Sequence, residues 1–349
     1  MNSYSTPLSQ WGLSSGRSLK FSSDVSDLAI GRVIINHGNH ADVVVLDTPS
    51  SENLENFDIS RVELGAHLPD TPVAGDWVCV QGGRIVEIAE RYSSLSRPDV
   101  DGTFTQVLAA NIDTALLVIS LEKEPSLKAL EKLLIMGWDS GAQPIIIATK
   151  IDVAKHYIHQ IERLQEVSMG VEIIPCSSQT GEGIELVKER VSGGTAVMLG
   201  ASGAGKTSLL NALSETHEAT FDVRRDGQGR HTTSTRKLYR LPGGGILLDV
   251  PGIRTLSLNG DSTAINETFS DIAELSLHCR FGDCQHDGDF GCAVEAAVDH
   301  GELSPRRLKS WRSIQRELEY QTRRTSKSTM AEQKRQWKKS TKATRKFSK

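Results

Sequence analysis

The sequence lacks the features of membrane and secreted proteins. No apolar run is long enough to span a bilayer, and the first residues, MNSYSTPLSQWGL, contain neither the basic stretch nor the apolar core of a secretory signal. Cysteine is scarce, with five in 349 residues. Cys79 and Cys176 stand alone in strand-like surroundings that favour core positions, and the other three lie close to a histidine. We therefore expect a cytoplasmic protein of two or three domains, whose clustered cysteines bind metal rather than form disulfides.

The chain as a whole has no net positive charge, but its carboxyl-terminal part is strongly basic. The formal net charge is −4, yet the residues from Arg306 onward contain 16 Lys and Arg against 3 Asp and Glu. A solvated tail is the simplest interpretation of such a run. The size of the surplus favours the alternative, which is a contact with nucleic acid.

The first part of the chain predicts a flexible segment followed by a small β domain. Residues 1–23 are rich in serine and poor in apolar residues, which is typical of a flexible or loosely docked segment. Residues 24–95 contain the short β-type runs GRVIIN, ADVVVLD, DWVCVQ and RIVEIA, separated by turn residues. Four or five short strands suit a barrel of the oligonucleotide-binding type, although a β domain used only as a spacer has the same pattern.

The rest of the chain predicts an α/β domain and a helical domain. In residues 96–262, buried strands such as TALLVIS and PIIIAT alternate with amphipathic helices, which indicates a mostly parallel sheet covered by helices on both faces. KLYRLP and GILLDV predict a hairpin in the same region. Residues 263–325 are mostly helical and include a Cys/His-rich loop, and residues 326–349 form a basic tail.

A phosphate loop follows the predicted strand TAVMLG. GASGAGKTS matches the pattern G-x-x-x-x-G-K-[ST], with a strand before it and a helix after it. The glycines let backbone amides point at phosphate oxygens, Lys206 can reach the β- and γ-phosphates, and the Thr207 hydroxyl can bind Mg²⁺. A glycine-rich turn that binds nothing is the alternative. The predicted phosphate-contacting residues are Gly200, Ala201, Ser202, Gly203, Ala204, Gly205, Lys206, Thr207 and Ser208.

The sequence DVPG, Asp249 to Gly252, ends the predicted strand GILLDV. An aspartate at this position can hold Mg²⁺ through water, and the glycine amide can sense the γ-phosphate. The motif is weak alone. Its distance from the phosphate loop and its place at the end of a buried strand support it.

The segment TKID, residues 149–152, precedes the phosphate loop, whereas most guanine-nucleotide switches have the phosphate loop first. It follows the buried strand PIIIA, and the Asp152 carboxylate can accept both the N1–H and the amino group of guanine, which adenine does not offer. Because these segments all end strands, a rotated chain order keeps one site if the original termini were close together. An ordinary helix start capped by Asp152 is the alternative. The predicted base-contacting residues are Thr149, Lys150, Ile151, Asp152, Cys176, Ser177 and Ser178.

The Cys/His-rich loop has the composition of a metal site. Cys279, Cys284, His286 and Cys292 supply three thiolates and one imidazole within fourteen residues. This donor set suits one structural Zn²⁺ with four protein ligands and no open position. A redox pair or free thiols are the alternative.

These segments together resemble the circularly permuted GTPases of bacterial ribosome assembly, the ribosome small-subunit-dependent GTPase A family. The resemblance rests on RYSSLSRP, TKID, SSQTGEG, GASGAGKTS, GRHTTS, DVPG and the Cys/His loop, and it extends from about Gly31 to the last helices. It implies an oligonucleotide-binding barrel, a permuted GTPase domain, a zinc-containing helical domain, and a role late in the maturation of the small ribosomal subunit and its rRNA. The chain departs from the family at Thr149, where the family has asparagine, so we expect weaker nucleotide affinity with guanine preference retained. The short amino-terminal region predicts a trimmed barrel.

Many GTPases place glutamine directly after D-x-x-G to orient the attacking water, but this chain has Ile253. The resemblance implies that the segment GRHTTS takes part, with His231 near the water and Thr232 or Thr233 on Mg²⁺; a surface histidine in a loop is the alternative. We expect slow intrinsic hydrolysis of GTP to GDP that the small subunit stimulates. A P-loop ATPase or kinase and a non-catalytic zinc- and RNA-binding adaptor are the other candidates. Nothing in the sequence indicates more than a monomer.

Overall fold

The computed structural model describes residues 7–25, 28–46, 59–98, 105–214, 237–249, 262–320 and 322. The chain divides into two compact units. The first contains Met1–Leu95 and Val107–Leu256, and the second contains Ser96–Gln106 and Ser257–Lys349. The first unit combines the predicted barrel (24–95) with most of the predicted 96–262 domain, and the bounds of these domains stay predictions. Among the described residues, no helix is long and apolar enough to cross a membrane.

Five strands close into the predicted small barrel. They are β1 (Ala29–Asn36), β2 (His40–Leu46), β3 (Ile59–Leu64), β4 (Trp77–Gln81) and β5 (Arg84–Ile88). Their order around the barrel is β1-β2-β3-β5-β4, and pairing of β1 with β4 closes it. Alternate side chains point inward, as the period of a strand requires. They form a core of Val33, Ala41, Val43, Val62, Val78 and Ile85. The described strands make a complete ring, so the expectation of a trimmed barrel was wrong.

The amino-terminal segment is docked rather than flexible where the structure describes it. A short helix, α1 (Pro7–Gln10), precedes Trp11, which is fully buried. The Thr195 hydroxyl donates a hydrogen bond of 2.8 Å to the Gly12 carbonyl, and the Ser14 hydroxyl donates one of 2.8 Å to Asp113. Of the two expectations for residues 1–23, flexible or loosely docked, the described residues around Trp11 fit the docked one, since burial of one large aromatic side chain outweighs the polar composition around it.

A buried arginine joins the barrel to the rest of the first unit. Arg32 of β1 is fully buried, lies over the ring of Trp77, and donates to the Thr195 hydroxyl at 2.9 Å and to the Asn111 carbonyl at 3.3 Å. Burial lowers the pKa of Arg32 to about 10, which leaves the guanidinium charged at neutral pH. A buried, charged side chain of the barrel, Arg32, is thus hydrogen-bonded to Thr195 and Asn111 outside the barrel.

The start of RYSSLSRP forms a second connection. Arg91 donates to both carboxylate oxygens of Asp76 at 2.7 Å. The Tyr92 hydroxyl donates to the Asn111 carbonyl at 2.9 Å, and the Ser93 hydroxyl both donates to the carbonyl and accepts from the amide of Ile112, each at 2.6 Å. These three residues therefore have a structural role. The motif continues into β6 (Ser94–Pro98), which pairs with β7 (Thr105–Ala110) in a two-stranded sheet.

A six-stranded sheet forms the centre of the first unit. Its strands are β8 (Thr114–Ser120), β9 (Gln143–Thr149), β10 (Ile173–Cys176), β11 (Thr195–Leu199), β12 (Lys237–Arg240) and β13 (Ile246–Asp249). The order is β10-β9-β8-β11-β13-β12, and every pair is parallel except the predicted hairpin of β12 and β13. The helices between the strands are α2 (Leu127–Asp139), α3 (Tyr157–Gln165), α4 (Ile184–Val191) and α5 (Lys206–Ser214). Strands buried on both faces explain the continuous apolar runs in the sequence.

The second unit is mainly helical. It contains α6 (Ser262–Thr268), α7 (Ser270–Ser276), α8 (Ala293–Asp299) and a last helix over residues 305–320. Phe269, Ile272 and Ile314 are buried. Arg307 pairs with Asp271 at 2.9 Å and lies over the Phe269 ring, so a buried charge is matched by a carboxylate and an aromatic face.

Candidate functional site

The loops that follow β9, β10 and β11 meet at one edge of the six-stranded sheet. Because these strands are parallel, the segments at their carboxyl ends lie side by side although they are far apart in sequence. They surround a pocket of about 650 Å³. Its lining residues are Glu122, Thr149, Lys150, Asp152, Val153, Ser178, Gln179, Gly205, Ser208, Asn211 and Ala212. The structure therefore brings the TKID segment and the end of the phosphate loop into one site despite their reversed order.

The phosphate loop has the backbone that its glycines permit. Gly200 has a φ of +154°, and a Cβ there would lie 2.4 Å from the carbonyl oxygen of Val118 on the neighbouring strand. Lys206 begins α5, and its ammonium donates to the carbonyls of Gly200 and Ala201 at 2.7 and 2.8 Å. The loop thus folds around the lysine and leads directly into the amino terminus of α5, whose first amides have no partner within the helix.

Thr149 connects the TKID segment to the phosphate loop. It is the last residue of β9 and is buried, and its hydroxyl donates to the Ala204 carbonyl at 2.6 Å. The same hydroxyl lies 3.3 Å from the Ile119 carbonyl. Thr149 therefore contacts the phosphate loop through its single hydroxyl.

Lys150 pairs with a residue that the sequence analysis missed. The Lys150 ammonium lies 2.6 Å from the carboxylate of Glu122, and Lys150 has a left-handed backbone with φ of +65°. The hydrogen bond from Lys150 lowers the pKa of Glu122, so this side chain carries a negative charge at the pocket. Glu122 comes two residues after β8 ends. Its position beyond a strand of the same edge was the signal that could have identified it.

Of the three residues predicted at the end of β10 and directly after it, only one lines the pocket. Cys176 is fully buried, and burial raises the pKa of its thiol to about 12, so it remains a neutral core residue. The buried Ser177 hydroxyl accepts from the amides of Gln179 and Thr180 at 3.2 Å and shapes the loop. Ser178 lines the pocket together with Gln179, which was not predicted. Ile151 is buried and does not line it either.

The predicted catalytic residues are placed only in part. Asp249 ends β13, which pairs with β11, the strand that leads into the phosphate loop. His231, Thr232, Thr233 and Gly252 lie outside the described residues. In the phosphate loop, Gly205 and Ser208 line the pocket, while Gly200 to Ala204, Lys206 and Thr207 do not.

The four predicted metal ligands converge in the second unit. The ligand atoms of Cys279, Cys284, His286 and Cys292 all lie within 4.8 Å of one another. The Nδ1 atom of His286 is 3.4 Å from the Cys292 sulfur and 3.6 Å from the Cys279 sulfur, which identifies it as the nitrogen that faces the centre. Three thiols and one imidazole at these distances can hold a metal ion.

The surroundings of His286 and Cys279 favour the forms that bind a cation, whereas burial raises the pKa of the Cys284 thiol to about 12. Burial lowers the pKa of His286, so the imidazole is neutral and able to bind metal at neutral pH. Burial opposes ionisation of Cys279, but hydrogen bonds from the amides of Ala293 and Val294 outweigh it and hold the pKa of this thiol below its usual range. Arg312 donates to the His286 carbonyl and to Glu295, and thereby connects the loop to α8.

The sequence of the chain is similar to one family model and to several known proteins. Residues 88–259 match the family model described as RsgA GTPase. The protein named small ribosomal subunit biogenesis GTPase RsgA from Streptomyces coelicolor is 38% identical over 324 residues, which cover 88% of this chain and 85% of the relative. The small ribosomal subunit biogenesis GTPase RsgA 2 of Lactiplantibacillus plantarum is 38% identical over 301 residues, or 84% of each chain.

Two solved structures have the same fold. YjeQ from Thermotoga maritima matches with a TM-score of 0.64 and 25% identity, covering 83% of this chain and 98% of that protein. YloQ, described as a circularly permuted GTPase, matches with a TM-score of 0.62 and 26% identity over 84% of this chain and 95% of the other. The rotated order of the motifs is therefore a property of a known fold.

Proposed function

The chain belongs to the RsgA GTPase family, and we propose on that basis that it hydrolyses GTP to GDP during maturation of the small ribosomal subunit. The relatives carry this role in their names. The observation that carries the proposal is the pocket in which Asp152 of the TKID segment lies with Gly205 and Ser208 of the phosphate loop. A base and its phosphates can occupy such a pocket together.

Guanine recognition rests on the carboxylate of Asp152. It accepts the N1–H and the exocyclic amino group of guanine in one planar contact. Adenine offers no matching pair of donors and leaves the carboxylate unsatisfied. The stem of Lys150, held by Glu122 at 2.6 Å, packs along the base, and Ser178 contributes from the neighbouring loop.

Phosphate binding rests on the loop from Gly200 to Ser208. Its amides and the amino terminus of α5 face the phosphate oxygens, and the Lys206 ammonium exchanges its carbonyl partners for the β- and γ-phosphates. Thr207 and Asp249 would hold Mg²⁺, which neutralises charge on the phosphates when bound. No glutamine follows DVPG, so we propose that His231 helps to position water, that Thr232 or Thr233 joins the Mg²⁺ ligands, and that the amide of Gly252 senses the γ-phosphate.

The Cys/His cluster is proposed to hold one structural zinc ion. The donor set supports this, because three sulfurs and one imidazole nitrogen suit tetrahedral Zn²⁺ and leave no position open for a substrate. The ion would join the loop to α8 through Cys292, whose sulfur also accepts from the Glu295 amide.

We infer that the partner is the small ribosomal subunit and that rRNA is part of the contact. The basic surplus after Arg306 supports an electrostatic interaction with RNA phosphates. The barrel is of a class that binds oligonucleotides, which supports a second contact. A monomeric protein of the cytoplasm fits this proposal.

Hydrolysis of GTP and ATP, with and without purified small subunits, tests the proposal. We expect turnover selective for GTP that the subunit stimulates strongly, and we expect stimulation to weaken at higher salt because surface charges are screened. Equal use of ATP would favour a P-loop ATPase. Subunit binding without turnover would favour the adaptor, and turnover indifferent to the subunit would contradict the proposed partner.

Thr149→Val should weaken GDP binding by about 5- to 150-fold. The substitution keeps the shape of the side chain but leaves the buried Ala204 carbonyl without its donor, which corresponds to about 1–3 kcal/mol. Titration calorimetry with GDP measures the effect. Thr149→Ser retains the hydroxyl and serves as the control. Equal affinity of the valine variant and the wild type would show that this hydrogen bond does not organise the phosphate loop.

A further inference from the structure

The Cys/His loop exposes two phenylalanine side chains. Phe281 is 50% exposed and Phe290 is 75% exposed. Single exposed apolar residues are common on protein surfaces, but two aromatic rings on one short loop are a feature of partner sites. The core of this unit already contains Phe269 and Ile272. The two exposed rings are therefore available for a contact outside the protein.

An arginine lies over both rings. The Cζ atom of Arg280 is 5.0 Å from the ring centre of Phe290 and 5.6 Å from that of Phe281. The Arg280 amide donates to the Gly291 carbonyl at 3.1 Å, and a Cβ at Gly291 would lie 2.9 Å from the Cβ and 3.3 Å from the Cδ of Arg280. The absence of a side chain at Gly291 thus makes room for the arginine to lie across the rings.

The guanidinium of Arg280 is not neutralised by the acidic residues of the same loop. Among the described residues it has no carboxylate within salt-bridge distance, whereas Asp287 pairs with Arg316 at 3.3 Å and with Arg312 at 3.5 Å. Asp289 accepts from the Gln285 amide at 2.9 Å. The donors of Arg280 therefore remain available for an acceptor on a partner.

We propose that Arg280, Phe281 and Phe290 form a surface that stacks an unpaired RNA base. Every nucleobase offers a planar face to an aromatic ring, and a guanidinium can stack on the base or donate to its edge or to the adjacent phosphate. The proposal rests on the proposed function, which supplies rRNA as the partner, and adds the chemical group that this loop recognises.

A pair of labelled RNAs tests the contact on the full-length, metal-loaded protein. One probe is a fluorescein-labelled single strand of about 12 nucleotides, and the other has the same backbone without bases. We expect the wild type to bind the first more tightly than the second. In Phe281→Leu/Phe290→Leu this preference should fall by about 10-fold, because leucine has no aromatic face on which a base can stack. Arg280→Lys should also reduce it, since lysine keeps the charge but not the planar group.

The control variant is Tyr320→Leu, which removes an exposed aromatic residue elsewhere in the same unit. Metal content and GTP turnover without the subunit should be unchanged in all variants. An unchanged preference for bases in the double variant would overturn the proposal. Retained preference with reduced subunit binding would instead indicate a ribosomal protein as the partner. If the subunit does not stimulate GTP turnover by the wild-type protein, the proposed function is refuted. The preference for the RNA with bases is measured separately and does not depend on that result.

Discussion

Asp152→Asn is expected to lower kcat/KM for GTP by about 100-fold or more and to raise it for xanthosine triphosphate. The two carboxylate oxygens of aspartate accept hydrogen bonds from two N–H groups of guanine. The side chain of asparagine has one acceptor oxygen and, in place of the other oxygen, an amino group that donates. Xanthine carries a carbonyl where guanine carries its amino group, so it matches the amide. A site built on such hydrogen bonds discriminates by several orders of magnitude, because each mismatch leaves a buried polar group unpaired.

Steady-state hydrolysis of both nucleotides in the presence of the small subunit measures this change. The gain with xanthosine triphosphate is an internal control, since a misfolded variant would lose activity with both nucleotides. Undiminished GTP selectivity in the variant would show that Asp152 does not contact the base. It would also remove the reason for treating TKID and the phosphate loop as one site.

Removal of the metal is expected to unfold the second unit while GDP binding in the first unit persists. A structural zinc site contributes about 10–16 kcal/mol in small domains, which exceeds the stability of a typical domain. The buried apolar core of a unit this small, which includes Phe269 and Ile314, cannot replace that contribution. A strong chelator or Cys292→Ala should therefore abolish the thermal transition of residues 263–320.

Three measurements test the effect of metal removal. They are the metal content by mass spectrometry, the thermal unfolding curve and the affinity for GDP. Gln285→Ala changes an exposed residue of the same loop that is not a ligand, so it should behave as the wild type. Full thermal stability after loss of the ion would mean that the cluster is not a structural metal site. Loss of GDP affinity together with the ion would mean that the two units do not fold independently.

Motifs that lie within one stretch of chain were predictable. The phosphate loop depends on a few successive glycines at a strand-to-helix turn, and the four metal ligands lie within fourteen residues. In both cases the geometry is set by neighbouring residues, so spacing alone indicates the site. The strands of the barrel and sheet were predictable for a similar reason, because a strand buried on one or both faces shows its environment in its residue pattern.

Contacts between distant residues were not predictable in the same way. Residues 7–23 have a polar composition, and nothing near Trp11 in the sequence indicates that the side chain is buried. The pairing of Glu122 with Lys150 and the bond from Thr149 to Ala204 each join different loops of the sheet. Such pairs depend on which strands become neighbours, and local patterns in a single sequence do not reveal strand order.

The sequence by itself determined the fold class, the family resemblance and the segments that carry the candidate nucleotide-binding and metal-binding residues, because these depend on local spacing and on which atoms a side chain carries. Only the tertiary structure decided that TKID and the phosphate loop share a pocket, that Thr149 connects them, and that Arg280 lies over two exposed rings. These facts depend on strand order and on the packing of side chains across the fold. Parallel strands bring their carboxyl ends together whatever the order in which the chain visits them.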